Sequence, residues 1–175
     1  KLGVGMEIRN KAVEIVQSRL DKLRNDKSQR QKPDHEYKNV SVLHTNVMKF
    51  ISHYFDKHSL DVMLFCFPDP HFKKSNHRRR IITVSLLDYY AYLLKENGLI
   101  YNITDVKDLY EWTQEQFSKH PLFERLTEDE LKQDGVAQVV DLITNKTDEA
   151  QRVTKNEGQK YVCVYRRKPI PKIDI

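Results

Sequence analysis

The sequence predicts an α/β fold with a doubly wound, mainly parallel sheet. Strand patterns and helical patterns alternate along the chain, which is typical of βαβ units. One strand is apolar along nearly its whole length, as expected for a parallel strand covered on both faces. The chain has 175 residues, 39% of them hydrophobic, which suits one domain with its own core. We therefore predict a single domain over residues 1–175 with a loose tail at 169–175.

The first four predicted elements are two strand–helix pairs. The strands cover residues 2–8 and 40–44, and the helices, which have apolar residues at helical spacing, cover 8–23 and 47–55. The polar stretch 25–36 between the pairs is predicted as a loop.

The middle of the chain is predicted as strand, helix, strand and helix, over residues 61–67, 80–96, 99–104 and 106–119. The first of these is the apolar strand, which ends at Pro68 because proline cannot continue a central ladder. Asn97 and Gly98 should cap the C-terminus of the following helix, and Thr104 or Asp105 the N-terminus of the next. Residues 121–146 are predicted as helix and loop, and residues 160–166 as a last strand.

The net charge of +5 is unevenly distributed. Residues 71–80 carry five Lys or Arg and no acid, whereas residues 121–150 carry three basic and eight acidic residues. A basic surface beside an acidic segment is typical of proteins that bind a polyanion, but an ordinary solvated surface explains it equally well.

Composition argues against several classes of protein. The two cysteines, Cys66 and Cys163, are too few for a disulfide scaffold or a four-cysteine zinc site and favour an intracellular, reduced protein. The seven histidines lack metal-ligand spacing, so we expect no metal. No apolar run reaches the ~20 residues that cross a membrane, and we expect neither a membrane span nor a secretory signal.

Ligands bind at the carboxyl ends of strands in such sheets, so polar residues that follow strands are candidate site residues. Glu7 can accept hydrogen bonds from both ribose hydroxyls, or it is simply an acid favoured at a helix start. Asn46 can contact an adenine edge, or it simply caps the next helix. Thr147 and Glu149 lie in a polar segment that alone indicates a cap or a loop.

The strongest candidate follows the apolar strand, where residues 67–74 read Phe-Pro-Asp-Pro-His-Phe-Lys-Lys. The two prolines restrict the backbone around Asp69, and a rigid carboxylate suits a positioning role. The basic stretch that follows can bind phosphates, and its aromatic neighbour can contact a base. The alternative is a plain turn with a solvated basic loop.

These residues resemble the signature of the tRNA (guanine-N7-)-methyltransferases. The motif at 67–74, followed by His77 and Arg80-Ile81-Ile82, carries most of the resemblance. Weaker agreement comes from five short segments: Gly5-Met6-Glu7-Ile8-Arg9, Asn46-Val47-Met48, Ile103-Thr104-Asp105, Thr147-Asp148-Glu149 and His120-Pro121-Leu122-Phe123-Glu124-Arg125. The last of these resembles the eukaryotic branch.

The resemblance implies a Rossmann-like class I methyltransferase sheet and methyl transfer from S-adenosyl-L-methionine to N7 of a guanine in tRNA. Asp69 matches the family's proposed catalytic aspartate. The positions that match cofactor contacts are Glu7, Ile8, Arg9, Asn46, Val47, Cys66, Thr147 and Glu149. The positions that match substrate or RNA contacts are Lys73, Lys74, His77, Arg78, Arg79 and Asp105. The eukaryotic character implies a WD-repeat β-propeller subunit and a location in the nucleus.

The chain departs from the family pattern at its start. The family's sheet opens with a strand and a glycine-rich loop that cradles the methionine end of the cofactor, and no such segment stands ahead of Leu2. We therefore expect an N-terminally incomplete domain that lacks the first strand of the sheet.

The chemistry of the reaction limits what the site must do. Guanine N7 carries an in-plane lone pair, so its attack on a sulfonium methyl group needs alignment more than a general base. Our hypothesis is that Asp69 accepts hydrogen bonds from the guanine N1–H and amino group, which also favours the positive charge of the methylated ring. The RNA backbone would be bound by Lys73, Lys74, Arg78, Arg79 and Arg80. Arg80 can instead pair at a helix start.

Three other interpretations remain open. A methyltransferase acting on an exocyclic amine carries Asp or Asn before Pro-Pro-aromatic, whereas the order here is Pro-Asp-Pro-His. A non-catalytic RNA-binding protein on a methyltransferase fold would explain the missing glycine loop, but not the polar residues Glu7, Asn46 and Asp69 at three strand ends. An α/β domain with an unrelated small-molecule role leaves the basic loop unexplained.

Overall fold

The computed structural model describes residues 2–25 and 37–170. Residues 26–36 of the predicted loop and the end of the predicted tail therefore lie outside the described residues, whereas Asn25 is the last residue of a helix. The chain divides into two compact units, Lys1–Tyr54 and Phe55–Ile175. The single domain predicted over residues 1–175 stays a prediction. Within the described part of the chain, no helix has both the length and the apolar character needed to cross a bilayer.

The first unit is a parallel β–α–β unit followed by a short helix. Its elements are β1 (Gly3–Glu7), α1 (Asn10–Asn25), β2 (Val40–His44), α2 (Val47–Phe50) and a 3-10 turn (Ile51–His53). β1 and β2 pair in parallel, with Glu7 opposite His44. The predicted crossover is therefore present, and the carboxyl ends of both strands lie at one edge.

The second unit is built on a four-stranded mixed sheet. Its elements are β3 (Leu60–Cys66), a 3-10 helix (Lys74–Arg79), α3 (Val84–Leu93), β4 (Leu94–Thr104), α4 (Lys107–Ser118), β5 (Phe123–Arg125), α5 (Glu128–Leu131), α6 (Val136–Asp141), a π-helical turn (Leu142–Lys146), α7 (Asp148–Lys155) and β6 (Tyr161–Arg167). The strand order is β3-β4-β6-β5. β3 and β4 are parallel, whereas β6 runs antiparallel to both β4 and β5.

β3 is buried on one face only, so the prediction that both its faces are covered is wrong. Met63 and Phe65 are buried, but Val62 and Leu64 on the opposite face are 39% and 51% exposed. Side chains of a strand are buried only where another layer packs on their face, and the alternating exposure along β3 shows such a layer on one face only. The strand covered on both faces is β4, which is buried from Ile100 to Thr104.

The core of the second unit lies on both sides of β4. On one side, Tyr101 and Ile103 pack in a buried cluster with residues of β6 and of the acidic segment, which are Leu126, Ile143 and Val164. On the other side, Phe65 packs against Tyr90 of α3, with ring centroids 5.1 Å apart. Burial of each such side chain stabilises the fold by roughly 1.5–3 kcal/mol.

Helix α3 is shorter than the predicted helix over 80–96. It begins after the N-cap residue Thr83, whose hydroxyl accepts a hydrogen bond from the Leu86 amide, and it ends at Leu93. Residues 80–83 are not helical, and Arg80 and Thr83 both have extended backbones.

Asn97 and Gly98 do not cap α3 but form a bulge within β4. The pairing of β4 with β3 jumps from Leu94 to Leu99, which leaves the residues between them outside the ladder. Asn97 takes a left-handed backbone with φ of 63°, a conformation that Asn tolerates better than most residues. Sequence reasoning identified the turn residues correctly but assigned them to the wrong element.

Two further predictions near α4 need correction. The N-cap of α4 is Val106, not Thr104 or Asp105, although the Thr104 hydroxyl accepts a hydrogen bond from the Val106 amide at 3.1 Å. The acidic segment contains β5 in addition to helix and loop, and this strand was not predicted.

Gly98→Ala should lower the free energy of unfolding by about 1–3 kcal/mol. A Cβ atom at Gly98 would lie 2.9 Å from the Lys95 carbonyl oxygen, 3.0 Å from a Leu94 methyl group and 3.1 Å from the Asp61 carbonyl oxygen. Gly3→Ala is the matched control, since the nearest atom to its added Cβ would be 3.9 Å away. Chemical denaturation measures both variants, and equal stabilities would contradict the expected clash.

The start of α5 contains a charged capping box. The Thr127 hydroxyl accepts a hydrogen bond from the Glu130 amide, and the Glu130 carboxylate accepts one from the Thr127 amide at 2.9 Å. Arg166 of β6 also donates to this carboxylate, at 2.6 Å. The bond from the Thr127 backbone, followed by that from Arg166, lowers the pKa of Glu130 to about 2.

Glu130→Gln should reduce the loss of stability in acid. Because the pKa of Glu130 is lower in the folded state, its contribution is complete above about pH 4.5 and is lost as the pH falls towards 2. The free energy of unfolding of the wild type should therefore fall more steeply across this interval than that of Glu130→Gln. Glu128→Gln, an exposed residue of the same helix, is the control and should follow the wild type. Parallel curves for wild type and Glu130→Gln would contradict the expectation.

Candidate functional site

In the first unit, Glu7 and Asn46 follow neighbouring parallel strands. Glu7 is the last residue of β1, and its carbonyl accepts a hydrogen bond from the Thr45 amide at 2.9 Å. Asn46 occupies the N-cap of α2, and its side chain makes no capping hydrogen bond. An acidic side chain and an amide that is not used for capping therefore lie at the same edge of the two-stranded sheet.

The carboxylate of Glu7 is oriented by Arg9. Its Oε1 accepts a hydrogen bond from the Arg9 amide at 2.8 Å, and the Arg9 guanidinium donates to both carboxylate oxygens at 3.2 Å. Partial burial raises the pKa of Glu7, but the hydrogen bonds from Arg9 outweigh it and leave the pKa below its ordinary value. The group is therefore an ionised acceptor at neutral pH. Ile8, which lies between Glu7 and Arg9 in the sequence, is 60% exposed. Val47 is the first residue of α2.

These residues fit the nucleoside part of a nucleotide-like cofactor. An ionised carboxylate at a strand end matches the two donor hydroxyls of a ribose. The Asn46 side chain offers one donor and one acceptor to the edge of an adenine. The edge of the two-stranded sheet is thus chemically suited to an adenosine.

In the second unit, the loop after β3 and the turn after β4 lie at one edge of the sheet. Cys66 pairs with Ile103, and the Phe67 amide donates to the Ile103 carbonyl at 2.8 Å. Asp69 and Asp105 follow these two strand ends, and both are exposed. Parallel pairing therefore brings two acidic residues to the same edge.

The segment with Thr147 and Glu149 is hydrogen-bonded to the residue before β6. Because β6 runs antiparallel to β4, it begins at the edge of the sheet where β4 ends. Lys160, just before β6, donates to the carbonyl of Thr144 at 2.6 Å and to the hydroxyl of Thr154 at 2.7 Å. Thr147 caps α7, where its hydroxyl accepts a hydrogen bond from the Ala150 amide, and Glu149 pairs with a residue one turn along the same helix. Both residues therefore have the structural roles that the local sequence indicates.

The loop at residues 67–71, called the Asp69 loop below, is strained and internally bonded. Phe67 and His71 both take left-handed backbones, with φ of 49° and 45°. Such values are uncommon for residues with side chains and persist only where surrounding contacts fix them. Asp69 Oδ1 accepts a hydrogen bond from the His71 amide at 2.9 Å, while its side chain is 72% exposed. The loop thus holds a carboxylate in a defined position and presents it to solvent.

Four of the five basic residues that follow the Asp69 loop are exposed, namely Lys73, Lys74, Arg78 and Arg79. None of these four makes an ion pair with another part of the chain that the structure describes. Phe72, between the loop and these cations, is 73% exposed. An aromatic ring and several unneutralised cations thus lie beside the Asp69 carboxylate in the chain.

Arg80 is buried, unlike its neighbours, with 1% of its side chain exposed. Its Nε donates to the Pro70 carbonyl at 2.8 Å, and its Nη2 pairs with Asp108 in the first turn of α4. The guanidinium also lies over the Trp112 ring, 4.9 Å from its centroid. The expectation that Arg80 binds RNA backbone is therefore wrong. Arg80 does pair at a helix start, as the alternative said, but at that of α4 and not of the helix predicted over 80–96.

His77 also faces the protein interior. Its ring meets Trp112 edge-on with centroids 5.3 Å apart, and its Nε2 is buried without a hydrogen-bond partner among residues 2–25 and 37–170. The Trp112 indole donates to the Ile82 carbonyl at 2.8 Å, which fixes the ring in place. The residue as a whole is half-buried, so an RNA contact by His77 would have to come from its exposed part.

Sequence reasoning missed Asp108 and Trp112, the two α4 residues that contact Arg80. The only local signal was an acid in the first turn of a helix, which is common because of the helix dipole. Nothing in the spacing of 28 residues between Arg80 and Asp108 indicates their contact.

Comparison with known proteins finds a matching family model and similar sequences. A family model described as "Putative methyltransferase" matches residues 1–163. A tRNA (guanine-N(7)-)-methyltransferase of Caenorhabditis elegans is 48% identical over 170 residues, which cover 97% of this chain and 64% of the relative. One of Arabidopsis thaliana is 49% identical over 166 residues, covering 95% and 63%. The predicted resemblance is confirmed, and the chain spans less than two thirds of the length of these relatives.

Solved structures show the same fold. An rRNA methylase from Streptococcus thermophilus matches with a TM-score of 0.54 and 10% identity, covering 95% of this chain and 73% of that one. An S-adenosylmethionine-dependent O-methyltransferase from Thermotoga maritima matches with a TM-score of 0.51 and 11% identity, covering 97% and 51%. These matches confirm the predicted Rossmann-like class I methyltransferase fold.

Proposed function

Since the chain belongs to the methyltransferase family whose model matches residues 1–163, we propose that it methylates N7 of a guanine in tRNA, with S-adenosylmethionine as donor. The observation that carries this proposal is the Asp69 loop, a strained segment at a strand end that presents a fixed carboxylate. The substrate class is supported by the names of the relatives and by the exposed cations that follow the loop.

The nucleoside part of the cofactor would be held by the edge of the two-stranded sheet. Glu7 would accept hydrogen bonds from the ribose hydroxyls, with Arg9 and Ile8 beside it. Asn46 and Val47 would contact the adenine. When bound, S-adenosylmethionine supplies an electrophilic methyl group on a positively charged sulfur.

The second unit carries the remaining positions that the resemblance matches to cofactor or substrate contacts. Cys66 ends β3 directly before the Asp69 loop, and Asp105 follows the neighbouring strand at the same edge. Thr147 and Glu149 would contribute from the start of α7, while they keep their capping and ion-pair roles.

Asp69 would orient the guanine. A carboxylate can accept hydrogen bonds from the guanine N1–H and amino group together, which fixes the plane of the ring and the direction of the N7 lone pair. Its negative charge also stabilises the positive charge that the ring gains on methylation. No proton has to be removed before N7 attacks, so exposure of Asp69 to solvent does not hinder this role.

The RNA would be bound by the segment that follows. Lys73, Lys74, Arg78 and Arg79 present charges that can neutralise backbone phosphates. The exposed ring of Phe72 can stack on a base next to the target. His77 would join these contacts through its exposed part, beside Trp112.

A WD-repeat β-propeller subunit and a nuclear location complete the proposal. Both rest on the resemblance to the eukaryotic branch in the segment from His120 to Arg125. Both stay predictions.

Asp69→Asn should lower turnover by about 100-fold or more, because an amide offers one acceptor and a mismatched donor to the guanine. Affinity for S-adenosylmethionine should be unchanged. Transfer of labelled methyl groups to tRNA measures the first quantity, and titration calorimetry measures the second. Asp129→Asn, an exposed residue of α5, is the control and should retain full activity.

Wild-type turnover in Asp69→Asn would remove Asp69 from the chemistry. RNA binding by the wild-type protein without any methyl transfer to tRNA would instead favour the alternative function, a non-catalytic RNA-binding protein on a methyltransferase fold.

Replacing Lys73 or Lys74 by alanine should weaken tRNA binding and flatten its salt dependence. Each lost phosphate contact should reduce the slope of log K against log salt concentration by about one. Lys132→Ala removes an exposed lysine that pairs with Asp129, far along the chain from this segment, and should leave the slope unchanged. Binding isotherms at several salt concentrations provide the test. An unaltered slope in both variants at 73 and 74 would show that these lysines do not contact the backbone.

A further inference from the structure

The three consecutive arginines at 78–80 have two different environments. Arg78 and Arg79 are exposed, whereas the side chain of Arg80 is 1% exposed. Burial of a guanidinium is costly unless its charge and its donors find partners. The contacts of Arg80 therefore indicate what its burial achieves.

Arg80 connects the Asp69 loop to the start of α4, at the same edge of the sheet. Through Nε it donates to the carbonyl of Pro70, inside the Asp69 loop, and through Nη2 it pairs with Asp108, at the start of α4. Trp112, one turn further along α4, supports the flat face of the guanidinium. The link thus runs from the loop after β3, through one planar cation, to the helix after β4.

The loop that Arg80 holds does not take a relaxed conformation. Phe67 and His71, at its two ends, both have left-handed backbones. Inside the loop, the Asp69 carboxylate accepts a hydrogen bond from the His71 amide and lies 3.7 Å from Nδ1 of the His71 ring, while its side chain is 72% exposed. The bond from Arg80 to the Pro70 carbonyl therefore provides a contact from outside the loop that opposes its relaxation.

We propose that Arg80, charge-paired with Asp108, is a positioning residue that keeps the Asp69 loop in the conformation needed for methyl transfer. It acts through the Pro70 carbonyl and touches neither RNA nor cofactor. The structural part of this proposal concerns the loop alone, while its catalytic part rests on the proposed function.

The chemistry of arginine suits this role. Its planar guanidinium donates in several fixed directions at once, so a single side chain can hold a carbonyl and a carboxylate while stacking on an indole. A lysine keeps the charge, but its single ammonium group cannot reproduce this geometry. The link from the Pro70 carbonyl through Arg80 to Asp108 is called the brace below. Arg80→Lys therefore removes the brace without removing the charge.

Hydrogen exchange tests the structural part without requiring any reaction. In Arg80→Lys, the His71 amide should exchange at least about 10-fold faster, because its hydrogen bond to Asp69 depends on the loop conformation. Arg125→Lys is the matched control, since Arg125 also binds residues of α4, Gln114 and Tyr110, but makes no contact with the Asp69 loop. The control should exchange like the wild type at His71.

Kinetics test the catalytic part. Arg80→Lys should lower kcat with saturating tRNA by about 10- to 100-fold, the range that small displacements of a positioned group produce. KM for tRNA and the salt dependence of binding should stay unchanged, because no phosphate contact is lost. Asp108→Asn, which weakens the pairing from the other side, should change exchange and kcat in the same direction and by less.

Different results identify different failures. Wild-type exchange of the His71 amide in both Arg80→Lys and Asp108→Asn would overturn the proposal. It would also be overturned if Arg80→Lys flattened the salt dependence of tRNA binding and left kcat unchanged. If Arg80→Lys fails to fold, Asp108→Asn decides by the same measurements. If the His71 amide exchanges faster in the variants but the wild-type protein methylates no tRNA, the structural part of the proposal stands and the proposed function is rejected.

Discussion

The parallel pairing of β3 with β4 is the constraint on which the arrangement of the second unit depends. The ladder runs to Cys66 and Ile103 and is extended by the bond from the Phe67 amide, so both strands end at the same height. The Asp69 loop and the turn with Asp105 therefore leave the sheet side by side. The antiparallel β6 starts at this edge as well, which adds the segment before α7. Residues from three distant parts of the sequence are thus gathered by strand direction alone.

The features that the sequence predicted well are those encoded locally. β2 occupies the predicted residues, and β3 ends before Pro68, because proline cannot donate to a ladder. The polar residues that follow strands could be found for the same reason, since each lies next to an element that the pattern identifies. A signature as specific as the one at 67–74 then indicated the family.

The features that were missed depend on contacts between distant residues. Asn97-Gly98 is a turn signal, but only the register of β4 on β3 decides whether the turn ends a helix or interrupts a strand. The apolar sequence of β3 suggested two covered faces, although burial depends on which neighbours the strand has. Arg78, Arg79 and Arg80 are chemically identical in sequence, and their different environments arise from a helix that starts more than 25 residues later.

Exposure of the Asp69 carboxylate has a consequence for which molecules can be substrates. In the protein alone the Asp69 carboxylate is hydrated, and a guanine has to displace this hydration water before it can bind. Under the proposed function, the free energy for that displacement comes from phosphates and stacked neighbours elsewhere on the RNA. A lone guanosine offers the same ring without those anchors. Selection of a polynucleotide over its monomer would then follow from the solvent exposure of the Asp69 carboxylate in the free protein.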